Sequence, residues 1–198
     1  MRLLHVPLVL SMASGCRYLA MRSLDAFCET HGLLTEADAG NLSGPFSCEE
    51  IMLPTTVSIV RDGARTVIGL RGCRSTGIAE MDWECTRTLT LATSTGMGPR
   101  TLYLRDDSTA RGADGRLTSV IYCAANRIFA GEDDQGNHQF DVLTYTAPQL
   151  SVIAFGYCLV DHADTDYPLY DVFRQMENLA KRAREGYWAT VEVPSAGD

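Results

Sequence analysis

The chain has 198 residues, of which 45% are hydrophobic and 21% are charged, a composition typical of a globular protein. A single domain of this length buries about 70% of the surface that its unfolded chain exposes. Seventeen basic residues against 25 acidic ones give a net charge of −8, so the average field of the protein repels nucleic acids and anionic membranes. We therefore expect one globular domain with no nucleic-acid partner and no transmembrane segment, since no apolar stretch is long enough to span a bilayer.

Residues 1–15 are typical of a short signal peptide. A basic residue precedes a mostly apolar stretch from Leu3 to Ala13, and small residues suited to a signal peptidase follow it. Cleavage there would leave Cys16 at the new N terminus, where bacterial lipoproteins carry their lipid. We therefore expect a secreted or extracytoplasmic protein with a single β-rich domain over 16–194 and a polar tail over 195–198. The alternative is a cytoplasmic protein with free thiols, in which the apolar stretch forms a first β-strand.

The next segments predict a helix and then a loop. Residues 16–31 carry apolar side chains at helical spacing, which predicts a short amphipathic helix. Residues 35–47 are rich in Asp, Asn, Ser, Gly and Pro, which predicts a loop. In this loop, Asn41 begins an Asn-Leu-Ser triplet, the acceptor pattern for N-glycosylation in an exported protein.

Short β-strands then follow at regular spacing. Two of them, over 51–60 and 66–73, flank Asp62-Gly63, a pair that accepts the positive φ values of a tight hairpin. Alternating and β-branched residues predict further strands over 85–93, 100–105, 117–124 and 140–145. About eight short strands in succession predict an antiparallel meander that forms a barrel or a sandwich.

The C-terminal part predicts a buried strand, a helix packed outside the sheet, and a last strand. Residues 150–160 are almost continuously apolar, β-branched or aromatic, which is typical of a strand covered on both faces. After it, Asp166 can cap a helix whose apolar stripe starts at Leu169 and which ends at Gly186. Residues 187–193 alternate between two faces and predict the last strand. The fold class expected from the sequence is thus a β-rich α+β fold.

Cleavage within the N-terminal segment would leave six cysteines besides Cys16. An even number of cysteines in an exported protein favours disulfides, here three bridges of undetermined connectivity. The candidates are Cys28, Cys48, Cys73, Cys85, Cys123 and Cys158.

Four short segments contain residue types that serve catalysis or ion binding in other proteins. Cys16 and Arg22 have the spacing of a cysteine-phosphatase loop, but the residues between them include no Gly and look helical. Residues 161–166 gather three Asp and one His without the Gly or distal Glu of a calcium loop, so a solvated turn is favoured there, as it is for 132–134. Residues 72–77 could bind an anion, although a disulfide-anchored loop is the commoner role of such a segment. The sequence therefore identifies no catalytic residue, metal ligand or cofactor site.

The order of the predicted elements resembles that of the lipocalins, in which a meander of about eight strands forms a barrel and an external helix follows. The resemblance extends over 51–193. Gly186-Tyr187-Trp188 matches the Gly-x-Trp motif and Thr165-Asp166-Tyr167 the Thr-Asp-Tyr triplet, although both stand elsewhere in the chain than in the family. The resemblance implies a secreted carrier that holds a small apolar ligand inside the barrel. Aromatic residues that could line this cavity, or pack in an ordinary core, are Tyr103, Tyr122, Phe140 and Phe155.

Two other functions stay open beside the carrier. One is a disulfide-stapled β module that binds another protein, of the immune or host-interaction type. The other is a hydrolase with an unrecognised site. A cavity that can hold a ligand would favour the carrier, and a filled core with an exposed apolar patch would favour the protein-binding module. A cleft with a coupled nucleophile and base would favour the enzyme.

Overall fold

The computed structural model describes residues 33–35, 40–52, 55–94, 101–112, 114–132 and 138–191. The predicted signal peptide, the predicted helix over 16–31, the cysteines Cys16 and Cys28 and the polar tail lie outside these residues.

The described residues include eleven strands, four α-helices and a short 3-10 turn. The strands are β1 Leu33–Thr35, β2 Leu42–Met52, β3 Thr56–Arg61, β4 Ala64–Leu70, β5 Cys73–Arg74, β6 Thr101–Arg105, β7 Ala110–Arg111, β8 Leu117–Ser119, β9 Ile121–Glu132, β10 His138–Thr146 and β11 Leu159–Val160. The helices are α1 Ala79–Thr93, α2 Pro148–Ala154, α3 Tyr170–Ala183 and α4 Tyr187–Thr190, and the 3-10 turn is Asp106–Ser108.

Nine of these strands form one sheet in the order β1-β10-β9-β6-β2-β3-β4-β8-β7, and β5 and β11 pair separately. Neighbouring strands are antiparallel except β4 and β8, which are parallel. The architecture is therefore a mixed α+β fold with a large sheet, which agrees with the β-rich α+β class expected from the sequence. The described strands leave the sheet open between β1 and β7, so the predicted barrel is not confirmed.

The Asp62-Gly63 hairpin is confirmed. These two residues connect β3 to β4, and both have positive φ, 52° and 75°, as a two-residue type I′ turn requires. The predicted strand over 100–105 is also present as β6, and β9 and β10 are antiparallel neighbours in which His138 pairs with Glu132. The predicted loop over 35–47 is wrong in its second half, because residues from Leu42 onward belong to β2.

The strand predicted over 85–93 is wrong, since these residues belong to α1. Cys85, Leu89 and Thr93 are buried at a spacing of four residues, which is the period of a helix. The threonines whose alternation suggested a strand satisfy their hydroxyl groups locally: Thr86 donates to the Asp82 carbonyl oxygen at 2.9 Å and Thr90 to that of Thr86 at 2.7 Å. Packing of one helix face against the core therefore outweighs the β propensity of these residues.

The strand predicted over 150–160 is also wrong for most of its length. Pro148 opens α2, and only Leu159–Val160 are extended, as β11. The run is buried as expected, with Leu150, Val152 and Ile153 all fully inaccessible. A continuous apolar run gives the same pattern in a buried helix and in a buried strand, and this ambiguity is the source of the error.

The C-terminal helix is confirmed as α3, but its ends differ from the prediction. The residue at its N-cap position is Leu169, not Asp166, and no side chain caps the helix. Its left-handed stop is Arg184, with φ 54°, two residues before Gly186. The last strand is wrong over 187–190, where the chain forms α4.

Gln149 joins α2 to the sheet. Its side chain is fully buried, and its Oε1 accepts a hydrogen bond from the Ile121 backbone N–H at 3.0 Å while its Nε2 donates to the Arg71 carbonyl oxygen at 3.3 Å. A buried amide that satisfies two backbone groups fixes the position of the helix relative to the start of β9 and the end of β4.

Candidate functional site

A cleft of about 520 Å³ lies beside the end of β4. Its walls come from β4, the β7–β8 hairpin and the loop over 161–164. Six charged residues line it: Arg71, Arg111, Arg116, Asp114, Asp161 and Asp164. The volume suits a small molecule, but the charges make the lining suitable for a polar ligand rather than an apolar one.

An arginine–aspartate pair fixes one wall of this cleft. Arg71 is 9% exposed; its Nε lies 2.7 Å from Asp164 Oδ2 and its Nη2 lies 2.9 Å from Oδ1. Nη2 also donates to the Asp166 carbonyl oxygen at 2.5 Å, and the guanidinium lies 5.3 Å from the centroid of the Tyr167 ring. The hydrogen bonds from Arg71 hold the pKa of the Asp164 carboxyl below its ordinary value. The two hydrogen bonds between Arg71 and Asp164 hold the loop over 161–168 against the end of β4.

The other two arginines of the cleft are more exposed. Arg111 Nη1 donates to the Gly115 carbonyl oxygen at 2.9 Å, and Arg116 Nε lies 3.6 Å from Asp114 Oδ2. Their guanidinium groups retain donors that can reach a carboxylate or phosphate in the cleft.

A second polar cluster lies between the loop at His162 and α3. The Glu177 side chain is buried, and its Oε2 lies 2.8 Å from Lys181 Nζ and 3.1 Å from His162 Nε2. Its Oε1 accepts the Val160 backbone N–H at 3.0 Å, and His162 Nδ1 lies 3.1 Å from the Tyr170 hydroxyl. Burial raises the pKa of Glu177, but the hydrogen bonds from Lys181, Val160 and His162 outweigh it and lower this pKa below its usual value.

This cluster does not have the parts of a hydrolase site. An imidazole held by a carboxylate can act as a general base when its other nitrogen faces a nucleophile. Here that nitrogen meets the Tyr170 hydroxyl, and no Ser, Thr or Cys in the described part of the chain hydrogen-bonds to the ring. The interpretation that this geometry favours is a structural link between the loop and α3.

Helix α1 exposes two large apolar side chains with an arginine between them. Trp83 and Leu91 are 61% and 62% exposed and lie eight residues apart on one face, with the exposed Arg87 between them. The Arg87 guanidinium lies 5.6 Å from the centroid of the Trp83 ring, and its Nε donates to Glu84 Oε2 at 3.0 Å. We call Trp83, Arg87 and Leu91 the α1 surface. Because this segment was predicted as a strand, these three residues were not placed on one face. A helical period starting at Trp83 shows the shared face but not that this face is exposed.

The cysteines predicted to form disulfides are buried. Among the described residues these are Cys48, Cys73, Cys85, Cys123 and Cys158, and no two of them lie at disulfide-bonding distance. Cys48 in β2 and Cys123 in β9 have the whole of β6 between them, so a bridge between these two would require a different strand order. Since Cys28 lies outside the described residues, the three-bridge framework stays a prediction.

Three of the four proposed ligand-lining aromatics have side chains that the structure describes. Tyr103 and Tyr122 are cross-strand neighbours in β6 and β9; the Tyr103 ring packs edge-on against Tyr145, and the buried Tyr122 hydroxyl lies 3.2 Å from Arg105 Nη1. Phe155 follows α2 and packs against Tyr157, while the side chain of Phe140 lies outside the described part of the structure. These contacts support the interpretation of ordinary packing.

The predicted glycosylation site is exposed. Asn41 lies directly before β2, and its glycosylation stays a prediction.

In the segment 72–77, the Ser75 and Thr76 hydroxyls donate to the Asp82 carboxylate at 2.8 and 3.3 Å. The protein's own Asp82 therefore occupies the place that an anion would take. Among the residues that the structure describes, no group of three His, Cys, Asp or Glu side chains is placed to hold a metal ion.

Comparison with protein-family models finds no family that matches the chain, and comparison with curated proteins finds no significant match. Within the described ranges, no helix is both long enough and apolar enough to cross a membrane.

Proposed function

We propose that the protein is a binding module whose α1 surface contacts another protein. The observation that carries this proposal is the exposure of Trp83, a large aromatic side chain with 61% of its surface open to solvent. A filled core and an exposed apolar patch are the two features that favour a protein-binding module over a carrier. The buried residues of the sheet and helices form one hydrophobic cluster, and the α1 surface lies outside it.

The α1 surface has the composition and rigidity of a binding hot spot. Trp and Arg are enriched among the residues that dominate binding energy, and Trp83 and Arg87 already stack on each other. Their helix is anchored by the buried Cys85 and Leu89, so little backbone entropy is lost on binding. Covering the exposed part of Trp83 would contribute about 3 kcal/mol at the usual value per unit of apolar area.

The chemistry of this surface defines its partner. A helix that offers two apolar side chains eight residues apart fits an apolar groove of another protein. The Arg87 guanidinium lies between them and is only partly used by Glu84, so a partner carboxylate at the rim of the groove would complement it. We therefore propose a partner protein with an apolar groove and an acidic rim.

Site-specific photo-crosslinking in the native source tests this proposal. A photoreactive residue at Glu80, which is exposed on the same side of α1, should crosslink a partner in the wild-type background. Trp83→Ala and Leu91→Ala should abolish the crosslink. Leu179→Ala is the matched control, since Leu179 is an exposed apolar residue on α3, and it should leave the crosslink unchanged. A crosslink that survives both α1 substitutions, or one that joins two copies of this chain, would contradict the proposal.

A second candidate is the small-ligand carrier expected from the sequence, and the cleft beside β4 is the observation that favours it. Its volume is adequate for a small molecule, but its charged lining would select a polar ligand. Calorimetric titration with small carboxylates and amino acids, compared between wild type and Arg111→Ala, tests this candidate. In either case we propose that the protein is exported, with residues 1–15 removed.

A further inference from the structure

Three thiols from separate elements meet in the core. Cys73 lies in β5, Cys85 in α1 and Cys158 directly before β11, and the thiols of Cys73 and Cys85 both lie close enough to the Cys158 thiol to affect its pKa. Its Sγ also lies 3.1 Å from the Arg74 carbonyl oxygen. Cys158 is thus the central member of a cluster of three thiols. This thiol cluster is separate from the α1 surface and from the polar cluster formed by Glu177, Lys181 and His162.

Cys73 is the least buried member of this cluster. Cys73 is 8% exposed and lines the cleft, whereas Cys85 and Cys158 are fully buried. The same cleft contains the exposed guanidinium groups of Arg111 and Arg116. Asp114, Asp161 and Asp164 balance the charge of the three arginines of the cleft, so the donors of Arg111 and Arg116 can hold the carboxylate groups of a small zwitterionic molecule near Cys73.

The strand pairing places Cys158 next to Cys73, where it can react in a second step. Cys73 pairs with Val160 across β5 and β11, and Cys158 is two residues before Val160, so the side chains of Cys73 and Cys158 lie on the same face. Residues with this diagonal offset have Cα atoms about 7–8 Å apart, beyond the usual range for a disulfide, so a bridge between them requires a backbone shift and is strained. A bridge between them would be readily reduced again, as is typical of an exchange site.

We infer that Cys73 and Cys158 form a thiol–disulfide exchange site that reacts, through the cleft, with small disulfides carrying carboxylate groups. The Cys73 thiolate first attacks one sulfur of the small disulfide, whose S–S bond breaks and releases one thiolate. The Cys158 thiolate then attacks the Cys73 sulfur, forms the Cys73–Cys158 bond and displaces the second thiolate. The two cysteine protons pass to the two released thiolates, so the protein is oxidised by two electrons and the small disulfide is reduced by two.

The second step is the slower one. The contact with Cys73 and burial raise the pKa of the Cys158 thiol, which is therefore mostly protonated at neutral pH. The contact with Cys158 and burial likewise raise the pKa of Cys85, which does not line the cleft. A mixed disulfide on Cys73 should thus accumulate before the Cys73–Cys158 bridge appears.

Oxidised glutathione is the probe, added to the reduced full-length chain at neutral pH. Peptide mass spectrometry after an acid quench should show glutathione on Cys73 first and a Cys73–Cys158 peptide later. Cys158→Ala should stop the reaction at the mixed disulfide, and Cys73→Ala should slow loss of the Cys158 thiol by about 10-fold or more. Cys48→Ala is the control, because Cys48 is similarly buried but not on the cleft; it should leave the Cys73 rate unchanged.

Three results would overturn the inference. They are modification of Cys48 or Cys123 as fast as Cys73, glutathione on Cys85 before Cys73, and a bridge that joins Cys73 to Cys16 or Cys28. If Cys158→Ala does not fold by circular dichroism, the time course of the wild type still decides the order of the two steps.

Discussion

Replacing Gly72 by Ala should destabilise the protein far more than replacing Gly63 by Ala, although both glycines have the same backbone conformation. Gly72 follows β4 with φ +79°, and a Cβ there would overlap the Tyr167 hydroxyl and lie 2.7 Å from its Cζ and 2.8 Å from Phe173 Cδ2. Gly63 has φ +75°, but no atom lies within 4 Å of its Cβ position. The pair therefore separates steric overlap from backbone strain.

The magnitudes follow from these two terms. A non-glycine residue in the left-handed conformation lowers the free energy of unfolding by about 1–2 kcal/mol. Replacing Gly by Ala also restricts the unfolded chain, which raises the free energy of unfolding by about 0.4–1 kcal/mol and offsets part of this loss. Gly63→Ala should therefore lower the free energy of unfolding by about 1 kcal/mol. Overpacking of a filled core adds about 1–3 kcal/mol, so Gly72→Ala should cost about 2–4 kcal/mol.

Urea unfolding of both variants, followed by circular dichroism, measures this difference. Tyr167→Phe should restore part of the loss when combined with Gly72→Ala, because it removes the hydroxyl that the new methyl group would meet. By itself Tyr167→Phe should be close to neutral, since this buried hydroxyl has no hydrogen-bond partner among the described residues. Equal costs for Gly63→Ala and Gly72→Ala would refute the close packing of Tyr167 on the turn after β4.

Three other predictions concern the core and the N terminus. Because folding lowers the pKa of Glu177, the ionised carboxylate contributes fully to the free energy of unfolding above its unfolded pKa of about 4.3, and this contribution is lost as pH falls through the folded pKa. The free energy of unfolding, measured by urea titration at decreasing pH, should therefore fall less steeply in Glu177→Gln than in wild type. Gln149→Leu should cost about 1–3 kcal/mol in urea unfolding because it leaves the Ile121 N–H buried without an acceptor, and an unchanged stability would contradict that role. The intact mass of the protein from its native source should lack residues 1–15, whereas a full-length mass with unmodified cysteines would support the cytoplasmic alternative.

Local patterns in the sequence determined several elements of this protein. The Asp62-Gly63 hairpin and the helix over 170–183 are confirmed, because a turn that needs positive φ and an apolar stripe at helical spacing are local properties. The periodicity and order of the predicted segments were also enough to predict a β-rich α+β fold. They did not decide how the strands associate, since a period of two fixes which face is buried and not which strands are neighbours.

Tertiary structure decided the segments whose residues suit more than one conformation. The apolar run at 150–160 and the threonine-rich run at 85–93 are compatible with a strand, but burial against the sheet makes both largely helical. The α1 surface and the thiol cluster could not be predicted for the same reason. Trp83 is recognisable as exposed only when its helix is oriented, and Cys73, Cys85 and Cys158 meet only because the chain returns to one place from distant positions. A sequence records which side chains are available, whereas long-range packing decides which of them come into contact.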